Sequence, residues 1–96
     1  MYGLIGRMIA KEGKREELIK ILLAGSSGMP GCLSYVVARD GSDPGGIWIT
    51  EVWQDKEQHA ASLSLPSVQA AIAAGRPMIE SFSEHHETHP VGGHLL

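Results

Sequence analysis

Two apolar segments separated by turn-forming residues place the strongest constraint on the fold of this chain. Residues 32–39 and 46–54 are rich in β-branched and aromatic side chains, and the stretch between them reads Asp-Gly-Ser-Asp-Pro-Gly. This pattern predicts two antiparallel strands joined in a hairpin. Trp53 lies at the end of the second strand, just before a helix start at Asp55. We therefore expect an aromatic ring at the junction of a sheet and a helix.

The other segments complete an order of strands and helices. Gln58 follows Asp55 by three residues, which is typical of a capped helix start, and Pro66 suits the first position of a further helix. The predicted elements are strands at 2–11, 32–39, 46–54 and 81–89, and helices at 14–24, 56–63 and from Pro66 to about Gly75. The order βαββααβ predicts an α+β, ferredoxin-like fold with a four-stranded antiparallel sheet. We treat residues 1–96 as a single domain with a C-terminal tail at 90–96.

Both faces of the predicted sheet are apolar. Simple alternation along the second strand puts apolar side chains on each face, with Leu33, Tyr35 and Val37 on one and Cys32, Val36 and Ala38 on the other. A sheet with one wet face alternates apolar and polar residues instead. Three helices are too few to cover both faces, so the pattern predicts a homodimer.

The charge and hydropathy of the chain argue against nucleic acid and membranes as binding partners. The net charge of −3 and the isoelectric point near 5.9 argue against nucleic-acid binding, which needs a basic surface. No apolar run approaches the roughly 18 residues of a membrane helix, and the first residues do not resemble a signal peptide. We expect a cytoplasmic protein with no nucleic-acid or membrane partner. Cys32 is the only cysteine and is expected to be a small buried residue.

Three short motifs resemble the antibiotic biosynthesis monooxygenase (ABM) family. They are Leu33-Ser34-Tyr35, the turn from Asp40 to Asp43-Pro44, and Glu51-x-Trp53. The resemblance extends over roughly residues 3–82. It implies a small protein that forms a dimeric α+β barrel. Several members oxygenate quinols or anthrones without a bound cofactor.

The resemblance also suggests site residues. Anthrone-oxidising members have an Asn on the third strand, a Trp four residues later and a Tyr six residues after that. These positions are occupied here by Ile49, Trp53 and His59, and two positions that carry His in many members are occupied by Ser62 and Ser67. Haem-degrading relatives have an Asn on the first strand, where this chain has Arg7, so haem binding is not expected.

The candidate catalytic residues are His59 and Trp53. The ordinary pKa of histidine, about 6.5, suits a general base, and an indole ring can stack on a planar ligand or simply fill the core. The candidate substrate-binding residues are Glu51, Ser62, Ile49 and Arg7. Glu51 lies in an otherwise apolar strand, and a structural ion pair with Arg7 is the favoured interpretation. A pocket acid is the alternative.

No metal site or cofactor is expected. His85, Glu87 and His89 share one face of the last predicted strand, but they are spread over ~13 Å and do not converge on one point. The resulting function hypothesis is a cofactor-independent monooxygenase that acts on O₂ and a quinol-like or polyphenolic aromatic. The alternative is a non-catalytic, dimeric small-molecule-binding or stress-response module on the same fold.

Overall fold

The computed structural model, which describes residues 1–96, has helices packed on one face of a four-stranded antiparallel sheet. The elements in chain order are β1 (Tyr2–Ala10), α1 (Arg15–Gly25), β2 (Cys32–Arg39), β3 (Gly46–Trp53), α2 (Lys56–Ser62), α3 (Pro66–Gly75), a short 3₁₀ turn (Arg76–Met78) and β4 (Ile79–Thr88). The strands lie side by side in the order β2-β3-β1-β4. The predicted α+β, ferredoxin-like fold is confirmed. None of the helices has the length and apolar character needed to cross a bilayer.

The register of β1 and β3 decides which side chains face the helices. Leu4 lies opposite Glu51, and Met8 lies opposite Ile47. Opposed residues share a face, and side chains alternate along a strand, so the even residues of β1 and the odd residues of β3 form one face. We call it the helix-side face. It carries two apolar clusters, one of Met8, Ala10, Leu18, Ile47 and Ile49 and one of Tyr2, Leu4 and Trp53.

A register shift in β2 changes the face of one predicted residue. Cys32 lies opposite Trp53 and Tyr35 lies opposite Glu51, with the irregularity between Cys32 and Ser34. An extra residue in one strand of a pair reverses the alternation beyond it. Cys32 and Tyr35 therefore both lie on the helix-side face, and the prediction that they point to opposite faces is wrong.

The other face of the sheet is also apolar, as predicted. It carries a set of side chains that no element of this chain covers: Ile5, Ile9, Val36, Trp48 and Val52. Val36 is 50% exposed, and none of the five is buried. The two tryptophans lie on opposite faces, as expected from their spacing. We call this surface the open face.

Arg7 lies on the open face, and its predicted ion pair with Glu51 is wrong. Its Nε donates to Asp40 Oδ2 at 2.8 Å, and a terminal guanidinium nitrogen donates to Asp43 Oδ2 at 3.0 Å. The indole nitrogen of Trp48 donates to the same Asp40 oxygen at 3.1 Å. Successive strand residues point to opposite faces, so an odd residue of β1 cannot meet Glu51. Arg7 instead anchors the β2–β3 turn to β1.

The last strand begins at Ile79, two residues before its predicted start at Ser81. The 3₁₀ turn brings Met78 beside the end of β1, where its carbonyl accepts a hydrogen bond from the Lys11 N–H at 2.8 Å. Pairing with β1 extends to the pair Ala10–Ile79. Backbone pairing, which is not visible in side-chain pattern, therefore sets the start of β4.

Candidate active site

A cavity of about 440 Å³ lies between the helix-side face and the helices. A cavity of this size falls within the range that holds small organic ligands. Most of its lining is apolar and includes Met8, Leu18, Leu22, Met29, Trp53, Leu63, Val68, Ile72, Ile79 and Phe82. The polar or charged lining residues are Ser26, Tyr35, Glu51, His59, Ser62, Arg76, Glu80 and Ser81. Phe82 is 71% exposed, so a large apolar ring of the cavity wall is open to solvent.

Helix α2 holds His59 over the sheet. Its N-cap is Asp55, as predicted, and the Asp55 carboxylate accepts a hydrogen bond from the Gln58 N–H at 2.8 Å. Gly31 lies beneath Gln58 with a φ of +79°, and a Cβ at this position would collide with the Gln58 side chain. A residue with no Cβ is thus required for both the turn and the close approach. The cap and the glycine together fix the start of α2, one turn before His59.

The His59 ring contacts two aromatic rings. It meets Trp53 edge to face, with ring centroids 5.3 Å apart, and it lies 5.6 Å from the centroid of Tyr2 at a tilted angle. Edge-to-face packing at this spacing is favourable between π systems. The ring orientation is therefore constrained by Trp53 and Tyr2.

Glu51 lies next to both Trp53 and His59. Trp53 Nε1 donates a hydrogen bond to Glu51 Oε1 at 3.0 Å, and His59 Nε2 lies 4.0 Å from the same oxygen. The second distance is too long for a direct hydrogen bond but short enough for strong charge attraction. A ligand hydroxyl could interact with both groups.

Burial raises the pKa of Glu51 above its ordinary value. The hydrogen bond from Trp53 and the positive charges that His59 and His85 can carry oppose that rise. A carboxylate in a largely apolar cavity is costly unless it is hydrogen-bonded or paired. Trp53 supplies that hydrogen bond, and the His59 ring lies close enough for its charge, when it has accepted a proton, to be stabilised by Glu51.

The structure brings together only part of the predicted site. Trp53, His59, Glu51 and Ser62 line the cavity, whereas Arg7 is on the open face. Ile49 is on the helix-side face but is 7% exposed and packs in the apolar cluster instead of lining the cavity. Ser62 is buried, and its hydroxyl donates to the His59 carbonyl at 2.6 Å, so only its lone pairs are available to a ligand.

Tyr35 is a cavity residue that the sequence analysis did not single out. It lies opposite Glu51 in the β2–β3 pairing and therefore on the same face. Burial, and then the negative charge of Glu51, raises the pKa of the Tyr35 phenol. The face on which Tyr35 lies depends on the pairing of β2 with β3. Simple alternation along β2 does not predict it, because the register shifts between Cys32 and Ser34.

The three residues considered as a metal triad lie on the exposed edge strand or just beyond it. His85 and Glu87 pair with Gly6 and Leu4 of β1, and His89 follows the end of β4. Nowhere in the structure do three or more His, Cys, Asp or Glu side chains gather with the geometry to hold a metal ion.

Similarity to known proteins agrees with the fold and the motifs. The model of the antibiotic biosynthesis monooxygenase family matches residues 1–74. A candidate antibiotic biosynthesis monooxygenase from Chloroflexus aurantiacus J-10-fl is 68% identical, with 97% of this chain and 95% of that chain covered and a TM-score of 0.96. Another, from Deinococcus radiodurans, is 27% identical over 97% and 95% of the two chains, with a TM-score of 0.80.

A further solved structure shows the same fold at lower identity. A candidate antibiotic biosynthesis monooxygenase from Caulobacter crescentus CB15 has a TM-score of 0.86 at 20% identity over 95% of this chain and 90% of that one. No curated protein is significantly similar to this chain. The family model covers most of the chain, and a solved structure with two-thirds identity carries the same family description. The chain therefore belongs to the antibiotic biosynthesis monooxygenase family.

Proposed function

We propose that the protein is a cofactor-independent monooxygenase that acts on a quinol-like or polyphenolic aromatic. The observation that carries the proposal is the meeting of His59, Glu51 and Trp53 at one wall of a mostly apolar cavity. An imidazole base beside a carboxylate suits removal of a proton from a weak acid such as a phenol. The apolar walls suit a flat hydrocarbon ring. Family membership supports the reaction class.

In the proposed mechanism, His59 Nε2 accepts the proton of a ligand hydroxyl. The imidazolium that results is stabilised by the Glu51 carboxylate 4.0 Å away. The deprotonated, electron-rich ring then reduces O₂ itself. One oxygen atom enters the ring and the other leaves as water, so a quinol and O₂ give a hydroxyquinone and water.

Trp53 has two tasks in this mechanism. Its ring forms a wall of the cavity, and its indole N–H holds the Glu51 carboxylate in place at 3.0 Å. The surrounding apolar side chains leave little polar surface to hold water beside the reactive ring, and a bound ligand would displace much of the water that remains. The protein thus contributes a base, an oriented pocket and exclusion of water.

A second candidate function is a non-catalytic, dimeric small-molecule-binding or stress-response module. The observation that favours it is Ile49, which occupies the position of an Asn in the anthrone-oxidising relatives and is packed in the core. An alkyl side chain there can neither donate nor accept a hydrogen bond. Both functions use the same cavity, and they differ in whether O₂ is consumed.

An aerobic assay separates the two functions. Purified protein treated with a chelator is mixed with a panel of quinols and polyphenols under ¹⁸O₂, and O₂ uptake and product mass are followed against heat-denatured protein. We expect at least one compound to consume O₂ above the control rate and to gain one labelled oxygen atom. Binding of panel members with no uptake above the control would favour the binding module.

A further inference from the structure

The hydroxyl group of Tyr35 has no hydrogen-bond partner within the protein. The hydroxyl makes no hydrogen bond with any other group of the chain, and no fully buried side-chain nitrogen or oxygen in the structure lacks a partner. The Tyr35 oxygen is therefore reachable from outside the packed core, although its ring packs against the cluster of Met8, Leu18 and Ile49. The cavity lined by Tyr35 is where a ligand atom can reach it.

The position of Tyr35 complements that of His59. Tyr35 is directly opposite Glu51 across the β2–β3 pair, and His59 approaches Glu51 from α2 on the side of Trp53. Two polar groups thus flank one carboxylate in a mostly apolar cavity. A flat ligand that places one oxygen atom beside His59 can place a second oxygen atom within hydrogen-bonding reach of Tyr35.

The chemistry of Tyr35 defines what it can bind. Its pKa is raised by burial and by the negative charge of Glu51, so the phenol stays protonated at physiological pH. A protonated phenol donates one hydrogen bond and accepts through its lone pairs. It therefore suits a carbonyl, phenol or phenolate oxygen of the ligand. An aromatic with a single oxygen would leave it unpaired.

We propose that Tyr35 is a specificity-determining residue that binds the second oxygen of a two-oxygen aromatic ligand. This inference rests on the proposed function, because it takes the cavity to be the substrate site. It adds which residue holds each oxygen of that ligand, His59 the first and Tyr35 the second. The preference is for diols and diones over hydrocarbons or rings with one oxygen.

The test compares a matched pair of probes on three proteins. The probes are 2,3-dimethyl-1,4-naphthoquinone, whose methyl groups block reaction with the Cys32 thiol, and 2,3-dimethylnaphthalene, which lacks both oxygens. The proteins are wild type, Tyr35→Phe and Tyr2→Phe. The last removes a hydroxyl from the tyrosine that does not line the cavity and keeps the ring that packs against His59. Dione binding is read from quenching of tryptophan fluorescence, hydrocarbon binding from competition, and stability from thermal melting.

We expect wild type and Tyr2→Phe to prefer the dione. Tyr35→Phe should weaken dione binding about 3- to 10-fold, the range for one hydrogen bond, and leave hydrocarbon binding unchanged. Its melting temperature should not fall, because no hydrogen bond within the protein is lost; a purely structural Tyr35 would lower it without changing the preference between probes.

Two results would overturn the inference. One is equal dione affinity in wild type and Tyr35→Phe, and the other is a wild-type protein that binds the dione no better than the hydrocarbon. O₂ uptake by the quinol panel is measured separately. If Tyr35→Phe weakens dione binding but no quinol is turned over, the oxygenase proposal is contradicted and the role of Tyr35 is retained. If quinols are turned over but Tyr35→Phe leaves dione affinity unchanged, the role of Tyr35 is contradicted and the oxygenase proposal is retained.

Discussion

Glu51 is a carboxylic acid whose pKa is raised by burial in the cavity. It projects from the central strand β3 into a mostly apolar cavity, with one hydrogen bond from Trp53 and with His59 at 4.0 Å. Its negative charge acts on Cys32 and Tyr35 of β2, and it is itself affected by His59 on α2 and His85 on β4. A carboxylate placed this way costs stability when it is charged, and a perturbed titratable group in a cavity is a candidate for a functional role.

Replacing Glu51 by Gln should change the pH dependence of stability. The pKa of Glu51 is raised in the folded protein, so the folded state binds its proton more tightly than the unfolded state. This contribution is present below the unfolded pKa and is lost as pH rises through the folded pKa. The unfolding free energy of wild type relative to Glu51→Gln should therefore fall as pH rises above the ordinary pKa of a glutamate side chain.

Urea denaturation at fixed protein concentration measures this difference, and Glu87→Gln at an exposed position on the same face is the control. Solvent screens an exposed carboxylate, so we expect a smaller pH-dependent difference for the control. A relative stability of Glu51→Gln that does not change with pH would show that burial does not perturb Glu51.

The strands and helices were predictable from short runs of adjacent residues, whereas the side chains that meet in the cavity depend on how distant strands pair. The hairpin and the start of α2 were predictable because the turn after Arg39 and the cap at Asp55 are encoded in a few adjacent residues. The bulge beside Cys32 was not, because a register shift leaves no mark in the alternation of one strand.

The hydrogen-bond partners of Arg7 and Glu51 could not be predicted from the sequence either. Arg7 and Asp40 are 33 residues apart, and they meet only because the β2–β3 turn folds over β1. Sequence pattern could predict that Glu51 needs a partner but not that Trp53, two residues away, supplies it. The cavity residues Trp53 and His59 were predictable because the resemblance and the helix start placed them together.

In the molecule as a whole, no helix or strand packs on the open face of the sheet. The exposed surface of the chain is 5951 Å², whereas a compact monomer of 10.3 kDa has about 5,350 Å². The exposed tail at 90–96 contributes to this excess, and so do the apolar side chains of the open face. Burial of an apolar face of this kind in a two-fold interface is the common solution for a small chain.

We predict a homodimer that buries the open face. Wild type should sediment as a dimer at micromolar concentration, and Val36→Glu should shift it toward monomer because a charge would be buried at the interface. Gln69→Glu on the exposed side of α3 adds the same charge elsewhere and should leave the dimer intact. A stable 10.3 kDa monomer of wild type would contradict the prediction.

The most direct test of the proposed chemistry is the turnover of His59→Gln across a pH series. With a substrate found in the quinol panel, we expect turnover to fall at least roughly tenfold, the low end of general-base catalysis, with little change in melting temperature. The rise of rate with pH that reflects loss of the imidazole proton should flatten. His94→Gln in the exposed tail is the matched control and should behave as wild type. Near-normal turnover by a well-folded His59→Gln protein would contradict the assignment of His59 as the base.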